Sequence, residues 1–214
     1  MELPKDIWYC DNIIPLNTQG RFKTFISQSL FDWNDFSHIQ TSGVYGNMNS
    51  VPVCNEVTVK PSDALIRLVY ANDGLHSQIL NETSYWLGLS VLDEYAKRNN
   101  VRIVDIMRMK INNQSKSIYD DYDENCCNEI HIDNEHPNNK TLVYYINDSD
   151  GDTFLFDKLF DEKTKEYDLN VLVRIEPKQG RCAVFDTARF HAPSNPIYFP
   201  RRYLLNINFI EEPL

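Results

Sequence analysis

The sequence predicts an α+β domain that is mainly β, with helices buttressing a sandwich or jelly roll. Three observations predict it. Apolar residues recur at helical spacing up to about Lys97, and from Val101 onward the period falls to two. About seven short apolar runs then follow, parted by Asn, Gly and Pro turn signals. Finally, no linker divides the 214 residues. The chain 1–214 therefore reads as one domain, with helix-rich support over 1–100 and the β core over 101–214.

The elements follow in order. Ile7 to Cys10 reads as a short strand closed by Asp11-Asn12 and Pro15. From Thr18 to Leu30, Phe22, Phe25, Ile26 and Ser29 fall at helical spacing. Residues 41–60 are turn-rich, with Gly43, Gly46, Asn47 and Asn49. Pro61 suits a first helical position, and Leu65, Leu68 and Val69 continue a helical pattern from it. The longest helix is predicted over Glu82–Lys97, with Trp86, Leu89, Val91, Leu92 and Tyr95 on its apolar side. Asn81 caps its start, and Asn99-Asn100 close it. Strands are then predicted over Arg102–Ile111, Glu129–Asp133, Thr141–Ile146, Thr153–Phe156, Leu169–Ile175, Arg181–Phe185 and Arg202–Ile210. Trp8, Trp33 and Trp86 are expected to pack in the core or between strands.

Composition narrows the function classes. With 42% hydrophobic residues, 12% aromatic and only 7 Gly, the chain is neither disordered nor collagen-like. It has no apolar run near the roughly 18 residues of a membrane span, so no membrane partner is expected. Met1 to Asp6 lacks the basic and apolar regions of a signal peptide, which makes a cytoplasmic location the default expectation. A net charge of -10 speaks against broad binding to nucleic-acid phosphates. The 5 cysteines include no C-x-x-C, and free thiols are expected; zinc on Cys126 and Cys127 would need wider spacing.

The informative pattern is Glu129-Ile130-His131-Ile132-Asp133. On a strand, His131 and Asp133 project to one face while Ile130 and Ile132 pack behind them. An imidazole beside a carboxylate supplies two corners of the 2-His-1-carboxylate triad of non-haem iron sites. A further histidine is needed, and His191 follows 58 residues after Asp133, just beyond a predicted strand. By itself H-x-D is also compatible with a surface pair. His136, just before Pro137-Asn138-Asn139, reads as a turn residue, and His38 and His76 have no partnering pattern.

Several landmarks around this motif resemble the prolyl-4-hydroxylase-like branch of the 2-oxoglutarate/Fe(II)-dependent dioxygenases, including marine bacteriophage versions. They are Arg108-Met109-Lys110-Ile111-Asn112, then His131-Ile132-Asp133, then Tyr144-Tyr145-Ile146-Asn147-Asp148. Asp150-Gly151-Asp152-Thr153, Pro177 to Phe185 ahead of His191, and Arg202 to Phe209 complete the series, which spans about 102–210. The resemblance implies a double-stranded β-helix with N-terminal buttressing helices. It implies Fe(II) held by His131, Asp133 and His191 as the catalytic centre, 2-oxoglutarate and O2 as cosubstrates, and ascorbate as a candidate reductant.

Arg202 is implied as the residue that meets the 5-carboxylate of 2-oxoglutarate, with Tyr145 beside it. A planar guanidinium suits a carboxylate, through two charge-assisted hydrogen bonds. Arg201 competes, because the spacing of 11 residues from His191 is slightly long for the family; strand parity favours Arg202, which shares a face with Leu204, Asn206 and Asn208. Arg108, Lys110 and Asn112 alternate onto one face that the resemblance places in the pocket, although a solvated edge strand would look the same. Asp120 to Glu124 reads as a solvated loop or as a lid.

The implied reaction is hydroxylation coupled to decarboxylation of 2-oxoglutarate to succinate, with a prolyl residue in a peptide or protein as the first substrate. Alternatives are a free amino acid, another small metabolite or a nucleobase, and an inactive cupin-like binding or structural module. A zinc hydrolase is disfavoured because no HExxH accompanies the histidines. Together Fe(II), Asp133, 2-oxoglutarate and one arginine carry no net charge. Arg181, Arg189, Arg201 and Lys178 are expected as a basic rim around His191.

Overall fold

The computed structural model describes residues 4, 6–28, 52–61, 64–72, 74–136, 138–164 and 166–214. Expectations for Trp33, His38 and the turn-rich stretch before Pro52 lie outside them. The elements are β1 (Trp8–Cys10), α1 (Leu16–Ser27), β2 (Val53–Cys54), β3 (Thr58–Val59), β4 (Ala64–Asn72), β5 (Ser77–Ile79), α2 (Glu82–Asn99) and β6 (Val101–Ser115). They continue with β7 (Cys126–Cys127), β8 (Asn139–Tyr145), β9 (Thr153–Leu159), β10 (Asp168–Leu169), β11 (Val171–Ile175), β12 (Cys182–Asp186), β13 (Arg189–Pro193) and β14 (Arg201–Pro213).

Two antiparallel sheets face each other as a double-stranded β-helix. The larger has the order β1-β12-β8-β14-β6-β4-β5, and the smaller β11-β9-β13. Residues two apart share a face, so the register sorts the side chains. Along β6 and β14, Arg202 lies opposite Gln114, Leu204 opposite Asn112, Asn206 opposite Lys110 and Asn208 opposite Arg108. On the other side of β14, Leu204 meets Tyr145, Asn206 meets Val143 and Asn208 meets Thr141. This set forms the inner face. Its alternates Met109, Ile111, Leu142, Tyr144, Leu205, Ile207 and Phe209 face outward and pack with Phe22 and Ile26 of α1 and Val91 and Leu92 of α2. Between the sheets lie Val143, Tyr145, Leu155, Ile175, Ala183, Phe185 and Leu204. The back of the small sheet is sealed by Cys127, Ile130, Ile132, Phe154, Phe156, Tyr167 and Phe190.

α2 has the predicted ends: the Ser84 amide donates to the Asn81 carboxamide at 2.9 Å, and Asn100 adopts the left-handed conformation at φ 53°. Its buried face differs, running through Ser84, Gly88, Val91, Leu92 and Tyr95 and leaving Trp86 61% exposed. A Cβ on Gly88 would lie 2.9 Å from Met109 Sδ, so the helix meets the sheet along its small residues and the larger indole is turned out. Trp8 does pack as expected, edge-on to Tyr95.

The helix expected from Pro61 is overturned. Ala64–Asn72 is strand β4, paired antiparallel with β6 and β5. Leu65, Leu68 and Val69 fit helical spacing, but Ile66, Val69 and Tyr70 favour a pleated surface, and the long β6 offers them an edge to pair with. Among the described residues, the first hundred thus hold two helices and also three strands, β1, β4 and β5, of the large sheet. Glu129–Asp133 is not a regular strand; it makes one antiparallel bridge, His131 to His191, on the outer edge of β13. β13 itself was unforeseen: the predicted strand ends at Phe185 and His191 lies beyond it, whereas Arg189–Pro193 pairs with β9.

Candidate metal centre

His131, Asp133 and His191 converge: each offers a ligand atom, and these atoms lie within 4.8 Å of one another. The bridge between the His131 and His191 backbones sets the two imidazoles side by side, with centroids 4.3 Å apart. Each ring is fixed from behind. His131 Nδ1 lies 2.9 Å from the Glu129 carbonyl and His191 Nδ1 2.9 Å from the Arg189 carbonyl. A carbonyl only accepts, so Nδ1 carries the proton and Nε2 keeps its lone pair. Burial, followed by the neighbouring His191, lowers the His131 pKa to about 3. Burial likewise lowers that of His191. Both rings are therefore neutral at neutral pH, the form a metal requires.

Asp133 is oriented by four donors. Arg108 Nη2 donates to Oδ1 at 3.1 Å, and Thr141 Oγ1, Asn208 Nδ2 and Asn206 Nδ2 donate to Oδ2 at 2.8, 3.1 and 3.4 Å. Burial opposes its ionisation, but His191, Lys110 and Arg108 outweigh that and hold its carboxyl well below the usual range. This carboxylate sits 3.7 Å from His191 Nε2. This donor set, two imidazoles and one carboxylate, fits a divalent transition metal and leaves coordination positions open.

Arg202 points into the same interior and is completely buried. Its guanidinium donates to Gln114 Oε1 and, at 2.6 Å, to Thr153 Oγ1, while Nε has no partner. Tyr145 Oη donates to Thr153 Oγ1 at 2.7 Å, and the Arg202 guanidinium lies 5.6 Å from the Tyr145 ring centre. Among the described residues Arg202 has no carboxylate partner within ion-pair distance, although a buried guanidinium carries a heavy desolvation cost. Thr153 and Leu155 share a face of β9, and Leu155 lies opposite His191. The Arg202 contact is therefore one inner-face step, about 7 Å, from the triad. That separation, and a cation with no carboxylate beside it, fit a short dicarboxylate. Gly151 permits this approach: a Cβ there would lie 2.5 Å from the Ser194 carbonyl and 3.1 Å from Arg202 Cδ.

Arg201 turns away instead, its side chain donating to Ser115 Oγ at 2.7 Å. Asn112 faces inward with its carboxamide oxygen buried and unpartnered. Tyr144 lies on the opposite face, stacked on Phe22. His136 and His76 are exposed and outside the cluster. The expected basic rim does not form. Arg181 pairs with Asp11, Arg189 is buried against Asp6 and the Phe156 carbonyl, and Lys178 pairs with Glu176. Each of these cations is drawn to the nearest acid of an acidic surface.

Several residues of the site escaped sequence reasoning. Thr153 ties Arg202 to Tyr145, and Thr141, Asn206 and Asn208 clamp Asp133. Buried Tyr122, inside the acidic run, accepts a hydrogen bond from the Asn195 amide at 2.8 Å. The one signal available was alternation: Asn206 and Asn208 are polar residues at inward positions of a strand that is otherwise apolar.

A double-stranded β-helix with a His-Asp-His cluster and a buried arginine on its inner wall defines the architectural class. Solved structures share the fold, among them these two. One is a prolyl hydroxylase from Trichoplax adhaerens in complex with a hypoxia inducible factor oxygen degradation domain peptide fragment, at TM-score 0.54 and 15% identity, covering 96% of this chain and 84% of that one. The other is SnoN, a non-heme alpha ketoglutarate dependent epimerase from nogalamycin biosynthesis, at TM-score 0.53 and 7% identity, covering 96% and 78%. At these identities the likeness is one of fold. No protein-family model and no curated protein matches the chain.

Proposed function

We propose that this chain is a non-haem Fe(II)- and 2-oxoglutarate-dependent oxygenase that hydroxylates its substrate, with a prolyl residue of a peptide or protein as the first candidate. The observation that carries the reading is the buried Arg202 guanidinium, lacking a carboxylate among the described residues and set one inner-face step from the His-Asp-His cluster. A structural or storage module has no use for such a cation. The peptide-bound prolyl hydroxylase of the same fold supports a prolyl peptide; the epimerase of the same fold is why the substrate has to be argued from side chains.

In this reading His131, Asp133 and His191 would hold Fe(II), and Arg202, Tyr145 and Thr153 would hold the 5-carboxylate of 2-oxoglutarate. When bound, the metal and cosubstrate supply O2 activation: one oxygen atom enters the substrate C–H bond and the other enters succinate as CO2 leaves. The chain's own residues prepare that chemistry. The Glu129 and Arg189 carbonyls fix the imidazole tautomers, and the four donors to Asp133 keep it ionised and oriented. Phe185 packs edge-on to the His191 ring at 5.0 Å, and Leu155 and Val143 line the inner face, so the wall beside the centre is apolar.

The test is anaerobic addition of Fe(II) and 2-oxoglutarate, followed by air. A weak visible charge-transfer band and slow succinate release are expected. Both should be lost in His131→Ala. Absence of the band, or a His131→Ala variant that behaves like the parent, overturns the reading.

A further inference from the structure

The inner face carries a second buried cation. Lys110 is 5% exposed, and among the described residues its ammonium has no hydrogen-bond or ion-pair contact, only a through-space attraction to Asp133. Beside it, the Asn112 and Asn206 carboxamide oxygens are buried and unpartnered. These three positions are contiguous: Asn112 is the next inward residue on β6, and Asn206 lies directly opposite Lys110 on β14. Asn206 also donates to Asp133, which puts the trio at the metal end of the barrel. Gln114, the partner of Arg202, lies four residues further along β6, about 13 Å away. Lys110 and Arg202 therefore address different parts of the interior. The charges agree with this. Arg202 answers one end of 2-oxoglutarate and Arg108 is paired with Asp133, whereas Lys110 feels Asp133 only through space and touches no carboxylate among the described residues.

A buried, unpaired ammonium destabilises a fold unless an anion completes it. Resting on the oxygenase reading, we propose that Lys110 receives a carboxylate carried by the substrate, while Asn112 and Asn206 accept N–H or O–H donors from the same molecule. The substrate class is then an acid presented close to the metal. Its carboxylate comes either from a free amino acid or from an acidic side chain next to the hydroxylated residue of a peptide. Lys110 is a specificity-determining residue and takes no part in bond making.

The experiment uses the full chain loaded anaerobically with Fe(II) and 2-oxoglutarate, and the charge-transfer band is recorded first. Two matched pairs of probes are then titrated calorimetrically: L-proline against L-prolinamide, and a Pro-Glu peptide against its Pro-Gln counterpart. In one pair or the other the acid should bind at least about tenfold more tightly, a factor of the size that a charge-assisted hydrogen bond provides, and the pair that discriminates identifies the source of the carboxylate. Lys110→Met should erase the difference and Lys110→Arg should keep most of it. Lys110→Met should also melt no lower than the parent, because it replaces an unpaired buried charge with an apolar chain.

Acid and amide binding alike, or neither binding, overturns the assignment. So does a Lys110→Met protein that keeps the preference, or one that loses 2-oxoglutarate affinity more severely than Arg202→Ala. The band separates the two claims: without it the oxygenase reading fails, and with it but no acid preference only the Lys110 assignment fails.

Discussion

Two adjacent arginines differ in fate because a strand sends neighbours to opposite faces. Arg201 remains solvated beside Ser115, whereas Arg202 is sealed inside with Gln114, Thr153 and the Tyr145 ring. The functional consequence is measurable. Arg202→Ala should weaken 2-oxoglutarate binding by about 10–100-fold or more, the worth of one or two charge-assisted hydrogen bonds at about 1.5–3 kcal/mol each. Arg202→Lys should recover little of it, since a point charge cannot match the planar fork. Arg201→Ala should stay within about threefold, as exposed polar contacts contribute little. Titration of the anaerobic charge-transfer band measures all three, and a larger loss for Arg201→Ala would mean that the guanidinium at 201 is the clamp.

At the scale of elements, the turn before β9 matters as much as any strand. Asp150-Gly151-Asp152 brings Thr153 to Arg202, and Gly151 leaves no room for a side chain against the Ser194 carbonyl. Gly151→Ala must displace backbone, so it should cost about 1–3 kcal/mol in stability and weaken 2-oxoglutarate binding while leaving the triad intact. Urea titration alongside metal binding checks this; unchanged cosubstrate affinity would show that the turn does not position Arg202. This element was legible in the sequence, as were α2 and β14; β6 was legible from its alternation, but it runs on through Asn112-Asn113, which read as a turn, because β14 pairs with it as far as Ser115. The triad was legible too, since His131 and Asp133 lie within one short segment. What was hidden depends on pairing. β4 has helical spacing and becomes a strand only because β6 presents an edge. β13 is ordered by β9 and by a single bridge to His131. The expected basic rim failed for the same reason: Arg181 and Arg189 find Asp11 and Asp6, which are about 170 and 183 residues away in sequence.

On the scale of the whole molecule, a net charge of -10 encloses an interior that carries Arg108, Lys110 and Arg202 against Asp133. No helix among the described residues is long and apolar enough to cross a membrane. The β-rich half, 101–214, is also not built to stand alone. We propose that the chain folds as one unit, because β1, β4 and β5 complete the large sheet and both helices cover its outer face. Expressed alone, residues 101–214 would expose Met109, Ile111, Leu142, Tyr144, Leu205, Ile207 and Phe209. At about 2 kcal/mol for each such side chain, the loss exceeds about 10 kcal/mol, comparable with the entire stability of a typical domain. The fragment should therefore aggregate or bind a hydrophobic dye and show no cooperative melt, while the full chain unfolds in one transition by fluorescence and circular dichroism alike. A fragment that melts cooperatively and binds Fe(II) would instead show that the first hundred residues only decorate an autonomous barrel.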